Sequence, residues 1–439
     1  ALSGGWKKKA PLNSKNSHLP PSREGYSKRP ALPKTEIKPL GGQKGHQGNT
    51  LDLVASPDKQ EVHGPTCCAD CGRKFKAEEF ELVSQDRRQV FDLPPVSIEV
   101  VEHRIAAVRC CGKLHKGVFP STVKPGTQYG ANIQALACML VSRHNLSLSA
   151  TCDLLKSSYK ISLSEGTLVN ILKRAHELLA PVEQSIKDRL SKAKLAHFDE
   201  TGVRVAGKLV WLHVASNKEL TYLFVHSKRG KEALDAVVSI LPNFKGWAVH
   251  DCWKTYFSYE VCRHVLCNAH ILRELQALKE QGSIWAAAMH NLLMEAYKAS
   301  DSGLGKLQAK ARQAYYKRYE AITTQALSEE PQPVAGARGR PKQSKGLNLA
   351  KRLISYKEAV LAFIRKKIVP FTNNEAERDL RPAKGKLKVA GCLRTWEGSL
   401  YYARFLSFYK TTQKQGQNTL EQLTRLFNGL EYNFALPSP

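Results

Sequence analysis

The sequence predicts a multi-domain α+β protein: an α/β core interrupted by a helical insertion, preceded by a small cysteine-bearing β module and a helical segment. Three observations predict it. Cysteines cluster at two points within residues 65–120, on either side of a stretch with period-two alternation, VSIEVVEH. Through residues 127–190 apolar residues recur at three- and four-residue steps, as on helix faces. From residue 194 short β-type runs appear, and after residue 268 long helical patterns return.

Charge narrows the function class. The 439 residues carry 67 Lys+Arg against 39 Asp+Glu, a net charge of +28. A surplus this large makes nucleic acid the leading partner and an anionic membrane surface the weaker one. At 42% hydrophobic the chain has ample core and is not a disordered polymer. No apolar run reaches the roughly 18 residues of a membrane span, and no signal peptide is visible, so no membrane role is expected. Eleven cysteines, an odd number unevenly spread, suggest a reducing cytoplasm and metal ligands, not a disulfide framework. The chain starts at Ala1, so further N-terminal residues are expected before it.

Residues 1–60 read as a flexible basic arm: lysines and arginines set among Pro, Ser and Gly build no core. Residues 61–122 read as a zinc-ribbon-like module. TCCADCG supplies Cys68-x-x-Cys71, and CCGKLH supplies Cys110 and Cys111. Thiolates on Zn²⁺ stabilise folds too small to hold themselves. Cys110 and Cys111 are adjacent, and adjacent strand side chains point to opposite faces, so His115 or Cys67 is an alternative ligand.

Residues 123–192 read as helical. Ser162-x-x-Glu165 has the form of a capping box before a helix with Leu168, Ile171, Leu172, Ala175 and Leu179 on one face. Helix, turn and capped helix fit a DNA-reading helix-turn-helix or an ordinary hairpin. The hairpin is favoured, because the second helix offers few Arg, Asn or Gln for base contacts.

Residues 193–267 read as the first part of the core. KLAHFDETGVRV, KLVWLHVAS and LTYLFVHS are strands, GKEALDAVVSIL a helix, WAVHDCW a fourth strand and YEVCRHVLC a fifth. Three antiparallel strands, a helix and a parallel strand follow the order of an RNase H-like sheet. Residues 268–370 form the helical insertion with a basic loop, and residues 371–439 supply C-terminal helices.

Three acids stand out in this basic chain: Asp199, Asp251 and one glutamate of NNEAERDLRP, Glu375 or Glu377. Hard cations such as Mg²⁺ are held by a few carboxylates and substrate phosphates. Two such ions clamp an in-line displacement at phosphorus. Asp199 and Asp251 are expected at strand ends and the glutamate on a later helix. Glu375 and Glu377 face about 200° apart on a helix, so only one points into the site.

The segments HFDETG, HDCWKTYF, Cys267-Asn-Ala-His270 and NNEAERDLRPAKGKLKVAGCLRTWEG resemble the insertion sequence 66 family of bacterial DDE transposases, from about Cys68 to the C-terminal TLEQL. In that family the last motif reads N-N-x-A-E-R, which puts its glutamate on Glu377. The resemblance implies an RNase H-like core with Asp199, Asp251 and Glu377 as catalytic residues holding two Mg²⁺ or Mn²⁺ ions. It also implies an upstream zinc-finger-like module, for which Cys68, Cys71, Cys110 and Cys111 are the candidate zinc ligands here, with His115 or Cys67 as the alternative to one of the last two. The family's module ends in C-x-C or C-x-x-C, and this chain departs from it at Cys110-Cys111.

The implied activity is DNA cleavage and strand transfer on double-stranded transposon ends and target. A homodimer or larger synaptic assembly is expected, with accessory proteins of the same element, in the nucleoid of a bacterial cytoplasm. The rival readings are a nuclease without strand transfer and a catalytically inactive DNA-binding derivative. Arg378, Arg381, Lys384, Lys386 and Lys388 are candidate DNA contacts, with a solvated basic face as the alternative. Cys267-x-x-His270 offers two ligands, short of a zinc site, so packing is favoured. His197 and His250, each placed before a candidate Asp, are expected to point away from the metal. Asn373 and Asn374 are expected to cap the Glu377 helix. Trp253, Tyr256 and Trp396 are candidates for base stacking, with core packing as the commoner role.

Overall fold

The computed structural model describes residues 52–63, 65–80, 87–93, 96, 98–301, 307–332 and 343–434. Most of the expected basic arm and residues 333–342 of the basic loop lie outside them. The chain divides into two compact units. Residues 26–98 form one, and the other contains residues 99–439. Cys68 and Cys71 fall in the first and Cys110 and Cys111 in the second.

In the smaller unit the chain reverses between Cys67 and Lys74, which pair as an antiparallel bridge. Gly72, at φ +69°, lets the loop close, and its N–H donates to the Cys68 carbonyl at 3.0 Å.

The larger unit opens with a hairpin of strands β1 (Ala107–Cys110) and β2 (Lys113–Lys116). Its two turn residues, Cys111 and Gly112, have φ of 51° and 73°. Positive φ at both central positions is what a tight two-residue hairpin needs to match strand twist. Four helices follow: α1 (Ala131–Ser142), α2 (Leu148–Tyr159), α3 (Glu165–Leu178) and α4 (Ala180–Ser191). The α3 cap lies two residues later than expected. Ser164, not Ser162, accepts the Thr167 N–H, at 3.1 Å. The Ser162 carbonyl instead accepts the Tyr129 hydroxyl. Leu168, Ile171, Ala175 and Leu179 are buried, and Leu172 is partly so.

The sheet comprises β3 (Leu195–Val205), β4 (Lys208–Ser216), β5 (Thr221–His226), β6 (Trp247–His250) and β7 (Arg263–Leu266), in the order β5-β4-β3-β6-β7. β3, β4 and β5 run antiparallel in succession; β6 is parallel to β3 and β7 parallel to β6. Gly246 leads into β6 where no side chain fits: a Cβ there would meet the Ala193 carbonyl oxygen at 2.5 Å. The helix expected over GKEALDAVVSIL is one turn only, α5 (Lys231–Leu234). Its continuation runs into the β-branched pair Val237 and Val238, poor helix formers that stay exposed here.

Beyond the sheet come α6 (Asn268–Lys279), α7 (Ile284–Asp301), α8 (Ala309–Glu329), α9 (Lys345–Ser355), α10 (Lys357–Val360), α11 (Asn374–Ala390), α12 (Trp396–Lys414) and α13 (Thr419–Phe427). Two apolar cores result. One joins β3–β5 with α1–α4 and α11–α13 around Leu155, Leu212, Leu223 and Phe408. The other joins β6 and β7 to the inserted helices around Trp285, Leu292, Leu353 and Leu361. α12 also closes the β5 edge of the sheet. Ser407 and Thr411, one helical turn apart, accept the Leu223 and Thr221 N–H groups at 2.8 and 3.0 Å. An open strand edge would otherwise leave those donors bare. No helix among the described residues is long and apolar enough to cross a membrane.

Candidate active site

Asp199 lies inside β3, opposite Val214, and not at a strand end as expected. β3 runs on because β4 pairs with it as far as Val205, whereas its parallel pairing with β6 stops at His197. Asp199 therefore stands just past the point where β3 and β6 part. Asp251 directly follows β6, and its Oδ1 accepts the Trp253 N–H at 3.0 Å. Glu377 comes from the first turn of α11. Three elements distant in sequence thus bring three carboxylates into one region.

Electrostatics reports that convergence. Burial raises the Asp199 pKa well above the ordinary carboxylate value, and the charges of Glu200, Asp251 and Glu377 push it further. Among the described residues no lysine or arginine pairs with Asp199, Asp251 or Glu377; His270 Nδ1 lies 4.0 Å from Glu377 Oε1. Both of those atoms are buried and lack a hydrogen-bond partner. Such an array of oxygen donors, charged alike and without a cation, fits a divalent hard metal ion.

Glu375 faces elsewhere. It pairs with Lys414 at 2.9 Å and Arg378 at 3.0 Å. Burial pushes its carboxyl up, but Lys414 and Arg378 outweigh that and the net direction is down.

Asn373 does not cap α11 with its side chain, contrary to expectation. It is 1% exposed and bonded on three sides. Its Nδ2 donates to the Phe198 carbonyl at 2.8 Å, its Oδ1 meets His197 Nδ1 at 2.9 Å, and its backbone N–H donates to Cys267 Sγ at 3.1 Å. It ties the strand of Asp199, the start of α6 and the helix of Glu377 together. Only its place in the NNEAER motif hinted at this, because its partners come from elsewhere in the chain.

The histidines divide. His250 is fully buried: it stacks on Tyr256 at 4.5 Å, its Nδ1 meets the Asp251 carbonyl, and its Nε2 meets His264 Nδ1 at 2.9 Å. Burial holds its pKa down at about 3. His197 departs from expectation. It stands two positions before Asp199, so strand alternation puts both on one face, and it contacts the α11 start through Asn373.

Glu200, passed over in the sequence, is a buried acid beside Asp199. Tyr256 Oη donates to it at 2.6 Å and Arg229 Nε at 2.8 Å. Arg229 lies over the rings of both Trp211 and Trp253, at 5.0 and 4.5 Å. Tyr256 is therefore a core residue and Trp253 a partner of Arg229, while Trp396 is 40% exposed.

The basic candidates on α11 separate by face. Arg378, Arg381, Lys384 and Lys388 are exposed, and the last three recur at three- and four-residue steps along one side. Lys386 turns inward. It donates to the Val141 carbonyl at 3.2 Å and lies over the Tyr402 ring, and burial lowers its pKa.

The cysteine pairs also have local order. In the smaller unit, backbone N–H groups of Cys71 and Asp70 and the Cys71 thiol lower the Cys68 pKa. In the larger unit Cys110 and Cys111 do not point apart as a strand would force. The positive-φ turn at Cys111 brings their sulfurs to 3.6 Å.

Comparison with protein families assigns these features. Residues 126–400 match the Transposase IS66 family, and residues 65–112 match the zinc-finger binding domain of transposase IS66. A comparison with curated protein sequences found no match. The first match spans well over half of the chain, including Asp199, Asp251 and Glu377, so the chain belongs to the IS66 transposase family. That membership makes it a nucleic-acid-processing enzyme with a transposase role and DNA as its partner.

Proposed function

We propose that this chain is a DDE transposase with an RNase H-like core, which binds transposon ends, cleaves DNA and transfers the strand to a target. The observation that carries the reading is the convergence of Asp199, Asp251 and Glu377 without a lysine or arginine of the described residues against them. Those three residues would hold two Mg²⁺ or Mn²⁺ ions, which when bound stabilise charge on the attacking and leaving oxygens of a displacement at phosphorus. The sheet order, with one acid on the central antiparallel strand and one after its parallel neighbour, supports the RNase H-like assignment.

The protein's own part is positioning. Asn373 fixes the separation of β3 and α11, so two of the acids keep one geometry before substrate arrives. Arg381, Lys384 and Lys388 line an exposed face of the helix that carries Glu377, where they would neutralise phosphates. Lys386, taken up inside, is left out of that set. Cleavage by water breaks a phosphodiester P–O bond and frees a 3′-hydroxyl. That hydroxyl then attacks a target phosphodiester, forming a new P–O bond as the target's own P–O3′ bond breaks and its 3′-oxygen leaves, with the same acids serving both steps. Joining two ends calls for at least a homodimer. The zinc-finger match supports Zn²⁺ as a further cofactor.

The test is cleavage and strand transfer on DNA carrying the element's terminal inverted repeats. Asp199→Ala, Asp251→Ala and Glu377→Ala should each bind DNA and fail to cut it. Cleavage at the wild-type rate by Glu377→Ala refutes the assignment, and cleavage without joining in the wild type points to a nuclease.

A further inference from the structure

We propose that Cys267, His270 and Glu377 form a second metal site, for a borderline transition-metal cation of the zinc class. It shares Glu377 with the proposed catalytic centre, and it rests on that reading only for its link to catalysis, not for whether the ion binds.

The geometry is local and specific. One ligand atom from each residue lies within 4.8 Å of the other two. Ligands about 2.0–2.3 Å from a tetrahedral cation lie roughly 3.5 Å apart, so a small contraction completes the site. His270 Nδ1 and Glu377 Oε1 are 4.0 Å apart, both buried and both without a hydrogen-bond partner. Buried polar atoms nearly always find a partner, and an ion between them would supply one to each.

The sulfur is prepared differently. Cys267 is the N-cap residue of α6, and His270 lies three positions on, so both project to one side of the first turn. The Asn373 N–H donates to the sulfur at 3.1 Å, and the Ala269 and His270 N–H groups also face it. Burial, together with the nearby Glu377 charge, outweighs those donors and holds the Cys267 thiol up at about 11, so the sulfur keeps its proton until a cation displaces it.

The donor set selects the ion. A thiolate excludes Mg²⁺ as the preferred occupant, whereas sulfur, imidazole and carboxylate together suit zinc. Three protein ligands leave a fourth position open. Binding releases the thiol proton to solvent and ties α6, the first helix after the sheet, to α11.

The test uses the full chain purified with zinc. Metal content is measured by elemental analysis, and the Co²⁺-exchanged protein is followed by its thiolate-to-metal absorption. His270→Ala and Cys267→Ser should each lose one zinc equivalent relative to wild type, and Cys267→Ser should lose part of the cobalt–thiolate band. The Cys68→Ser/Cys71→Ser protein should keep the Cys267 share of that band. If Cys267→Ser does not fold, His270→Ala and His270→Gln, at a partly exposed position, decide the matter. Unchanged zinc content in the His270 variants overturns the site. Unchanged zinc together with a cleavage-dead Glu377→Ala sinks the site alone. One lost equivalent with a cleavage-competent Glu377→Ala keeps the site and sinks the catalytic reading.

Discussion

Helix α11 presents acids in two directions, and the two sides are built on opposite principles. On one side Glu375 and Asp379 meet Lys414 at 2.9 and 2.6 Å, and the Thr221 hydroxyl donates to Asp379 at 2.7 Å. Asp379 and Lys414 are almost wholly buried, so each charge has the partner that burial demands. On the other side Glu377 and the two aspartates share a region with no lysine or arginine of the described residues against them, and Asp199 is driven toward its protonated form. The neutralised cluster anchors α11 to β5 and α12. The other stores repulsion that a bound cation would relieve. Acids in a basic protein are thus no uniform signal; the pairing of each acid separates neutralised carboxylates from candidates for a metal site.

The comparison can be broken by exchanging single charges. The largest effect is expected at Glu377. Glu377→Gln should lower DNA cleavage on the order of 10²–10³-fold or more, while Glu375→Gln, two residues away, should cleave near the wild-type rate. A single-turnover assay on labelled DNA reads both.

Next in size is Lys414→Met, which leaves the buried Asp379 with only the more distant cation of Lys410, at 4.0 Å, while Glu375 keeps Arg378. It should cost about 3–5 kcal/mol of unfolding free energy in denaturant titration. Substitution at the unpaired side should do the reverse. A carboxyl whose folded pKa is raised binds more protons folded than unfolded, so its contribution to stability falls as pH rises above the reference 3.8. Asp199→Asn should therefore raise the metal-free thermal midpoint over wild type at neutral pH. The gap should shrink as pH falls toward 3.8, and Mg²⁺ should stabilise wild type more than the variant. The smallest effects are expected on the exposed stripe. Arg381→Ala and Lys384→Ala should each reduce the salt dependence of DNA binding by about one unit of slope, without changing stability.

Much of the fold was legible because its signals are local. Short β-type runs marked β3, β4 and β5, and apolar spacing marked the α3 face at Leu168, Ile171 and Ala175, whereas the period-two run VSIEVVEH forms no strand among its described residues. Local signals also misled. Ser162 and Glu165 have capping-box spacing, yet the helix begins at Glu165 and the residue just before it, Ser164, caps it through its side chain. The adjacent Cys110 and Cys111 read as splayed, yet a turn turned their sulfurs together. Asn373 looked like a cap, and its side-chain partners at Phe198 and His197 lie 175 and 176 residues back. Glu200 drew no notice because a buried acid is recognised by its partners, and Arg229 and Tyr256 reach it only in the folded chain.

By itself the sequence determined the class of partner, through a net charge of +28, the run of strands and helices, and the three acidic motifs. It left Glu375 and Glu377 equal by periodicity; the family pattern chose between them on paper. Only the tertiary structure decided which acids lie together and which are paired. Lys414 comes from α12 and takes Glu375 away, while β3, the end of β6 and α11 bring Asp199, Asp251 and Glu377 to one place. The physical reason is that a carboxylate's role is set by the charges within a few ångströms of it, and here those charges come from distant parts of the chain.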